Sequence, residues 1–97
     1  MFARIGTWQG SADELDRWIE RSRRQVKPNL QNDRGLKAAY WLLDRAANKG
    51  LIVTLWESEA AMQASEQARR QRQAATSSDT GAAVTTDRYE VIDSLIV

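Results

Sequence analysis

The stretch from Leu51 to Ser65, LIVTLWESEAAMQAS, constrains this chain most. Leu51 to Trp56 is a run of β-branched and bulky apolar residues, which predicts a buried strand. Glu57-Ser58-Glu59 then breaks the run. Ser58 is suited to an N-cap, Glu59 places negative charge in the first helical turn, and an alanine-rich helix follows to about Gln73. Within that helix Ala61, Ala64, Ser65 and Ala68 form a narrow small-residue face that would let it lie close to a sheet. Arg69, Arg70 and Arg72 suit its C-terminal end, where the helix dipole favours cations.

The remaining segments supply partners for this strand and helix. Phe2 to Trp8 predicts a first strand, with Phe2, Arg4, Gly6 and Trp8 on one face and Ala3, Ile5 and Thr7 on the other. Ser11-Ala12-Asp13-Glu14 has the form of a capping box. The helix it opens carries Leu15, Trp18, Ile19, Ser22 and Val26 at spacings of three and four, opposite a charged, solvated face. Pro28 disfavours helix at Lys27 and is expected to end the element. Leu36 to Leu43 reads as a second strand, Asp44 to Gly50 as a hairpin loop, and Leu51 to Trp56 as the third strand. Ala74 to Thr86, rich in Ser, Thr, Ala and Gly, reads as a connection. Asp87 to Val97 is the expected last strand.

The order βαββαβ is that of α+β, ferredoxin-like domains, with two helices on one face of a four-stranded antiparallel sheet. A single domain over residues 1–97 is expected. In the second strand Leu36, Ala38, Tyr40 and Leu42 alternate with Lys37, Ala39, Trp41 and Leu43; in the third, Leu51, Val53 and Leu55 alternate with Ile52, Thr54 and Trp56. Both faces are largely apolar, whereas a sheet with one wet face shows polar alternation. Two helices cover one face, so a second copy of the chain is expected on the other.

Composition then narrows the chemistry. The chain has no cysteine and no histidine, which removes thiolates, the usual neutral-pH base and the commonest transition-metal ligand. No metal site and no cofactor are expected. A net charge of +1 points to neither nucleic acid nor an anionic membrane surface. No apolar run approaches the ~20 residues that span a bilayer. Met1-Phe2-Ala3-Arg4 does not open a signal peptide, so the expected location is the cytoplasm.

Leu55-Trp56-Glu57-Ser58-Glu59-Ala60 after an apolar strand, Gly35-Leu36-Lys37 opening the second strand, and Asp87-Arg88-Tyr89-Glu90-Val91 in the last carry a resemblance over nearly the whole chain. The chain resembles the antibiotic-biosynthesis-monooxygenase-like domains of the dimeric α/β-barrel superfamily. The resemblance implies two protomers pressing their sheets together, each with a pocket between its own sheet and helices. It also implies a cofactor-independent monooxygenase acting on a small aromatic substrate; the family includes haem-degrading enzymes too, whose route is not expected here, and many members have no assigned role. The alternative is a non-catalytic dimeric domain that binds a small ligand or serves as a scaffold. Trp56 matches the family's pocket tryptophan. The histidine that haem-degrading members carry on the second helix is absent, and their first-strand asparagine falls on Ala3 or Arg4. The polyketide oxygenases' asparagine and tyrosine fall on Ile52 and Met62.

The expected substrate-binding set is therefore Trp56, Thr54, Ile52, Met62 and Arg4, with few polar anchors. Ile52, Thr54 and Trp56 share a strand face by parity. Arg4, on a central strand, needs a carboxylate partner or an anionic ligand, and Glu90 or Asp93 is the expected partner. Tyr40, Trp41 and Tyr89 are candidates for a pocket wall or a dimer core, and only one of Tyr40 and Trp41 can face the helices. No nucleophile–base pair is visible. Catalysis would then rest on holding a reactive, enolisable substrate in a dry site where its own carbanion meets oxygen.

Overall fold

Alternating apolar strands and two helical segments give a four-stranded antiparallel sheet ordered β2-β3-β1-β4, an α+β ferredoxin-like fold. The structure is a computed structural model that describes the backbone of residues 1–75 and 83–97 and the side chains of residues 1–71 and 85–97. The strands are β1 (Phe2–Gln9), β2 (Leu36–Asp44), β3 (Lys49–Trp56) and β4 (Ala83–Glu90). The first helical segment comprises α1 (Ala12–Arg21), a π-helical stretch (Ser22–Val26) and α2 (Lys27–Gln31); the second is α3 (Glu59–Ala75). Most of the connection read from Ala74 to Thr86 lies outside the described residues. Among the described residues no helix is long and apolar enough to cross a membrane.

Both helix starts are built as their sequences dictate. At α1 the Ser11 hydroxyl accepts from the Glu14 amide, and the Glu14 carboxylate accepts from the Ser11 amide. At α3 the Ser58 hydroxyl accepts from the Ala61 amide at 3.1 Å. Pro28, however, does not end the first helical segment. A proline ring presses on the carbonyl four residues back and supplies no N–H. The preceding turn widens instead: the Lys27 amide donates to the Ser22 carbonyl, five residues back. Pro28 then falls in the first turn of α2, where its missing donor costs nothing.

Register decides which residues meet the helices. β1 pairs with β3 as Phe2 with Trp56, Arg4 with Thr54, Gly6 with Ile52 and Trp8 with Gly50. These form the covered face. A bulge between Leu36 and Ala38 shifts β2 by one position, so Leu36 joins Ala39 and Trp41 on the Trp56 side rather than sharing a face with Tyr40 and Leu42. Trp41 is thus the aromatic that faces the helices. Tyr40 (58% exposed), Leu42 and Tyr89 (55% exposed) lie on the uncovered face.

Three further expectations are corrected. The last strand ends at Glu90, and residues 91–97 carry no regular structure; Ile92, Leu95, Ile96 and Val97 are fully exposed. β2 and β3 run longer than expected, leaving a hairpin loop of residues 45–48 only. On α3 the expected small-residue face holds in part, since Ser65 is buried and Ala61 and Ala68 are half-buried, but Ala64 is exposed, and Met62 and Glu66 are buried beside Ser65. The polar pair is tolerated because charged partners meet it there.

Candidate ligand-binding site

Two apolar clusters fill the space between helices and sheet. In the first, Trp8, Leu15 and Trp18 are buried, with Ile19, Trp41 and Ile52 packed on them. Trp8 and Trp18 stack at 5.9 Å, with their planes 20° apart. Trp18 reaches the sheet because β3 offers Gly50 beneath it: a Cβ at that position would come within 2.4 Å of the ring. In the second cluster Leu30, Trp56 and Met62 are buried, and Phe2, Leu36 and Trp41 pack around them. Trp41 belongs to both and joins them.

Four of the five residues expected at the site come together. Trp56 is 0% exposed, and its indole N–H donates to the Thr54 hydroxyl at 2.9 Å. Thr54 in turn donates to the Arg4 carbonyl at 3.3 Å. The Arg4 guanidinium lies 5.0 Å from the Trp56 ring centroid, a cation–π contact, and Met62 completes the packing. Ile52 instead sits with Trp8 and Trp18.

Arg4 does not pair with Glu90 or Asp93. Register places it opposite Arg88, while Glu90 faces Phe2 and Asp93 lies beyond the strand. Arg4 is 6% exposed and donates to the Met62 carbonyl at 3.4 Å and the Ser65 hydroxyl at 3.3 Å. Ser65 passes the interaction on, donating to Asp33 at 3.0 Å. Burial lowers the Arg4 pKa to about 10, helped by the nearby charge of Arg69 and opposed by Glu66 and Asp33. It remains a cation at neutral pH.

The carboxylate that α3 brings to the sheet, Glu66, is held by Arg88, whose Nε donates to Oε1 at 2.8 Å. This hydrogen bond holds the Glu66 carboxyl below its ordinary value of 4.5, against the opposing effect of burial. A carboxyl depressed in the folded state adds stability in full above its unfolded pKa and loses it as pH falls through the folded one. Glu66→Gln should therefore lower stability at pH 7 and flatten the loss of melting temperature below about pH 4.5. Thermal melts of both proteins between pH 7 and pH 3 check this.

A cleft of about 220 Å³ opens between the first helical segment and β2. Trp18, Ile19, Trp41 and Leu43 supply apolar walls, and Ser22, Arg23 and Lys27 complete the lining. None of the five residues expected from the sequence lines it. In two of these residues a polar atom, Ser22 Oγ and Trp41 Nε1, is turned away from accessible space and buried without a hydrogen-bond partner; Trp8 Nε1, away from the cleft, shares that state. Unpaired buried donors cost on the order of 1–3 kcal/mol each, so each calls for an explanation. The sequence carried one signal: Ser22 is the polar member of an otherwise apolar helical face. Among the described residues no three His, Cys, Asp or Glu side chains gather as a metal site would need.

No curated protein matches the chain. Solved structures do, over nearly its whole length. MhuD of Mycobacterium tuberculosis, a haem degrader with two haems in its active site, superposes with a TM-score of 0.80 at 18% identity, covering 98% of this chain and 99% of its own. A dimeric ferredoxin-like protein from an uncultured marine organism gives 0.76 at 12% identity, covering 99% and 97%. SnoaB, a cofactor-independent oxygenase of Streptomyces nogalater, gives 0.70 at 12% identity, covering 97% and 95%. At these identities the likeness is one of fold. The family model for antibiotic biosynthesis monooxygenase matches residues 1–77, and the chain belongs to that family.

Proposed function

We propose that this protein is a homodimeric, monooxygenase-like protein that binds a small aromatic molecule between its helices and its sheet. The observation that carries this reading is the cleft itself: Trp18, Trp41, Ile19 and Leu43 wall it, with Ser22, Arg23 and Lys27 as its polar residues. Apolar walls with few polar anchors are the usual character of a small-molecule site. A cavity of about 150 Å³ accepts benzene, so about 220 Å³ suits one ring with substituents or two fused rings. Behind the Trp41 wall pack Trp56 and Met62, with Thr54 and Arg4 on Trp56, and Ile52 packs with Trp18.

Dimerisation is supported by the uncovered sheet face. Ile5, Leu51, Val53 and Leu55 run along it between the exposed Tyr40, Leu42 and Tyr89. A second copy would bury this face, and the apolar tail at residues 92–97 would reach its edge. Haem does not fit. The chain has no histidine or cysteine, and both tyrosines stand on the uncovered face, away from the cleft.

The chemistry this arrangement supports is oxygenation through the substrate's own reactivity. An aromatic methylene gives up a proton to form a carbanion, takes up one O2, and becomes a carbonyl; the second oxygen atom leaves as water. The protein's part is to bind, orient and exclude water. The test is oxygen uptake with a panel of readily enolised aromatic ketones under air, alongside calorimetric binding and light scattering. A dimer of twice 11.0 kDa that binds the panel and speeds uptake supports the full reading. Binding without uptake leaves the non-catalytic ligand-binding domain; a monomer that binds none of the panel overturns both.

A further inference from the structure

We infer that residues 92–97 of each copy add as a fifth strand to the free edge of β2 in a second copy, where they wall the open side of the cleft. The inference rests on the face-to-face dimer proposed above and adds which edge this segment takes and what it covers. The Val91 amide still donates to the Met1 carbonyl at 2.9 Å, continuing the pairing of β4 with β1 by one residue. Beyond it Ile92, Leu95, Ile96 and Val97 stand fully exposed. When extended, the segment points Ile92 and Ile96 to one side and Leu95 and Val97 to the other. A strand apolar on both sides is one that is covered on both.

The two edges of the sheet differ in what they invite. β4 carries Asp87, Arg88 and Glu90, charges of the kind that blunt an edge strand. β2, the other edge, is nine residues long without proline, and its residues 38–43, AAYWLL, hold no charge. Its outward N–H and C=O groups are a template for one more strand. Within one copy the segment leaves β4, three strand spacings or about 14 Å from β2. Six residues cannot both cross that width and pair along β2, so a second copy is the occupant that fits. A two-fold axis makes the exchange reciprocal. The same edge bounds the cleft. Leu43 pairs with Gly50, faces the helices and walls the cleft, yet it is 42% exposed because β2 has no strand beyond it in the sheet. A strand added there sets apolar side chains beside Leu43, so the second copy contributes a wall of the site.

The test is a mixed sample of isotope-labelled and unlabelled copies of the 97-residue chain, examined by isotope-filtered NMR alongside sedimentation. Contacts between copies should join methyl groups of residues 92–97 to the Leu43 side chain, and alternate β2 amides should exchange slowly with solvent. Leu95→Ser/Ile96→Ser alters two positions exposed in the protomer, and should raise the dimer dissociation constant about tenfold or more. A dimer in which residues 92–97 make no contact with β2 of the other copy, or touch β2 only within one copy, would overturn the exchange and leave the face-to-face dimer standing. So would a double variant that dissociates like wild type. Contacts that reach β2 but miss Leu43 would overturn the cleft wall. A monomer at micromolar concentration would overturn the exchange and the dimer together.

Discussion

Trp56→Ala should unfold this protein or bring it close to unfolding, with a loss of about 3–5 kcal/mol, the range for truncating a fully buried tryptophan. The indole is 0% exposed at the end of β3, packs with Leu30 and Met62, and lies beneath the Arg4 guanidinium. Truncation removes the packing, the cation–π contact and the donor to Thr54 at once. It also leaves a buried arginine over a void. A chain of 97 residues has little stability to spare, since small domains hold about 5–15 kcal/mol in total. Trp56→Phe keeps a ring and should lose about 1–3 kcal/mol. Urea unfolding of the three proteins measures both differences, and a Trp56→Ala protein that melts within a degree or two of wild type would remove Trp56 from the core.

The second large effect is expected from adding one methyl group. Gly50→Ala puts a Cβ within 2.4, 2.6 and 2.9 Å of three carbons of the Trp18 ring. That ring is buried, stacked on Trp8, and cannot swing aside as a flexible chain end would. Overpacking of this kind costs about 1–3 kcal/mol. Trp18 is also a wall of the cleft, so the substitution should weaken binding of the aromatic ketones as well as stability. Denaturation and a calorimetric titration on the same sample separate the two losses.

Much of this fold was legible because its signals are local. Ser11 with Glu14 and Ser58 before an alanine-rich run mark helix starts through backbone donors that only nearby side chains can satisfy. Strand alternation placed Ile52, Thr54 and Trp56 on one face and the apolar character of β2 and β3 on both. The departures came where one residue's geometry depends on a neighbouring element. The bulge at Leu36 resets parity by one position, and alternation alone does not reveal a bulge. Gly35 precedes it with φ +83, and its carbonyl accepts from the Glu57 amide at 2.8 Å, which ties the start of β2 to the end of β3. Pro28 carried a clear signal of helix termination, yet a widened turn absorbed it.

The site was harder to read for the same reason. Arg4 was expected to find a carboxylate on the last strand, but register set Arg88 beside it and left its donors to α3. The cleft depends on Trp41 facing the helices, on the widened turn at Ser22, and on Gly50 admitting Trp18 to the sheet. Each residue was visible in the sequence, but their convergence requires the packed arrangement.

The chain's four tryptophans give the most direct test of the cleft as the ligand site. Each indole N–H gives its own signal in a two-dimensional 1H–15N NMR spectrum, assignable by single Trp→Phe variants. On titration with an aromatic ketone that binds, the Trp18 and Trp41 signals should move most, because both rings wall the cleft. The Trp56 signal, held by Thr54 at 2.9 Å, should stay nearly in place. A large shift at Trp56 with Trp18 and Trp41 unmoved would contradict the account and put the ligand in the second cluster.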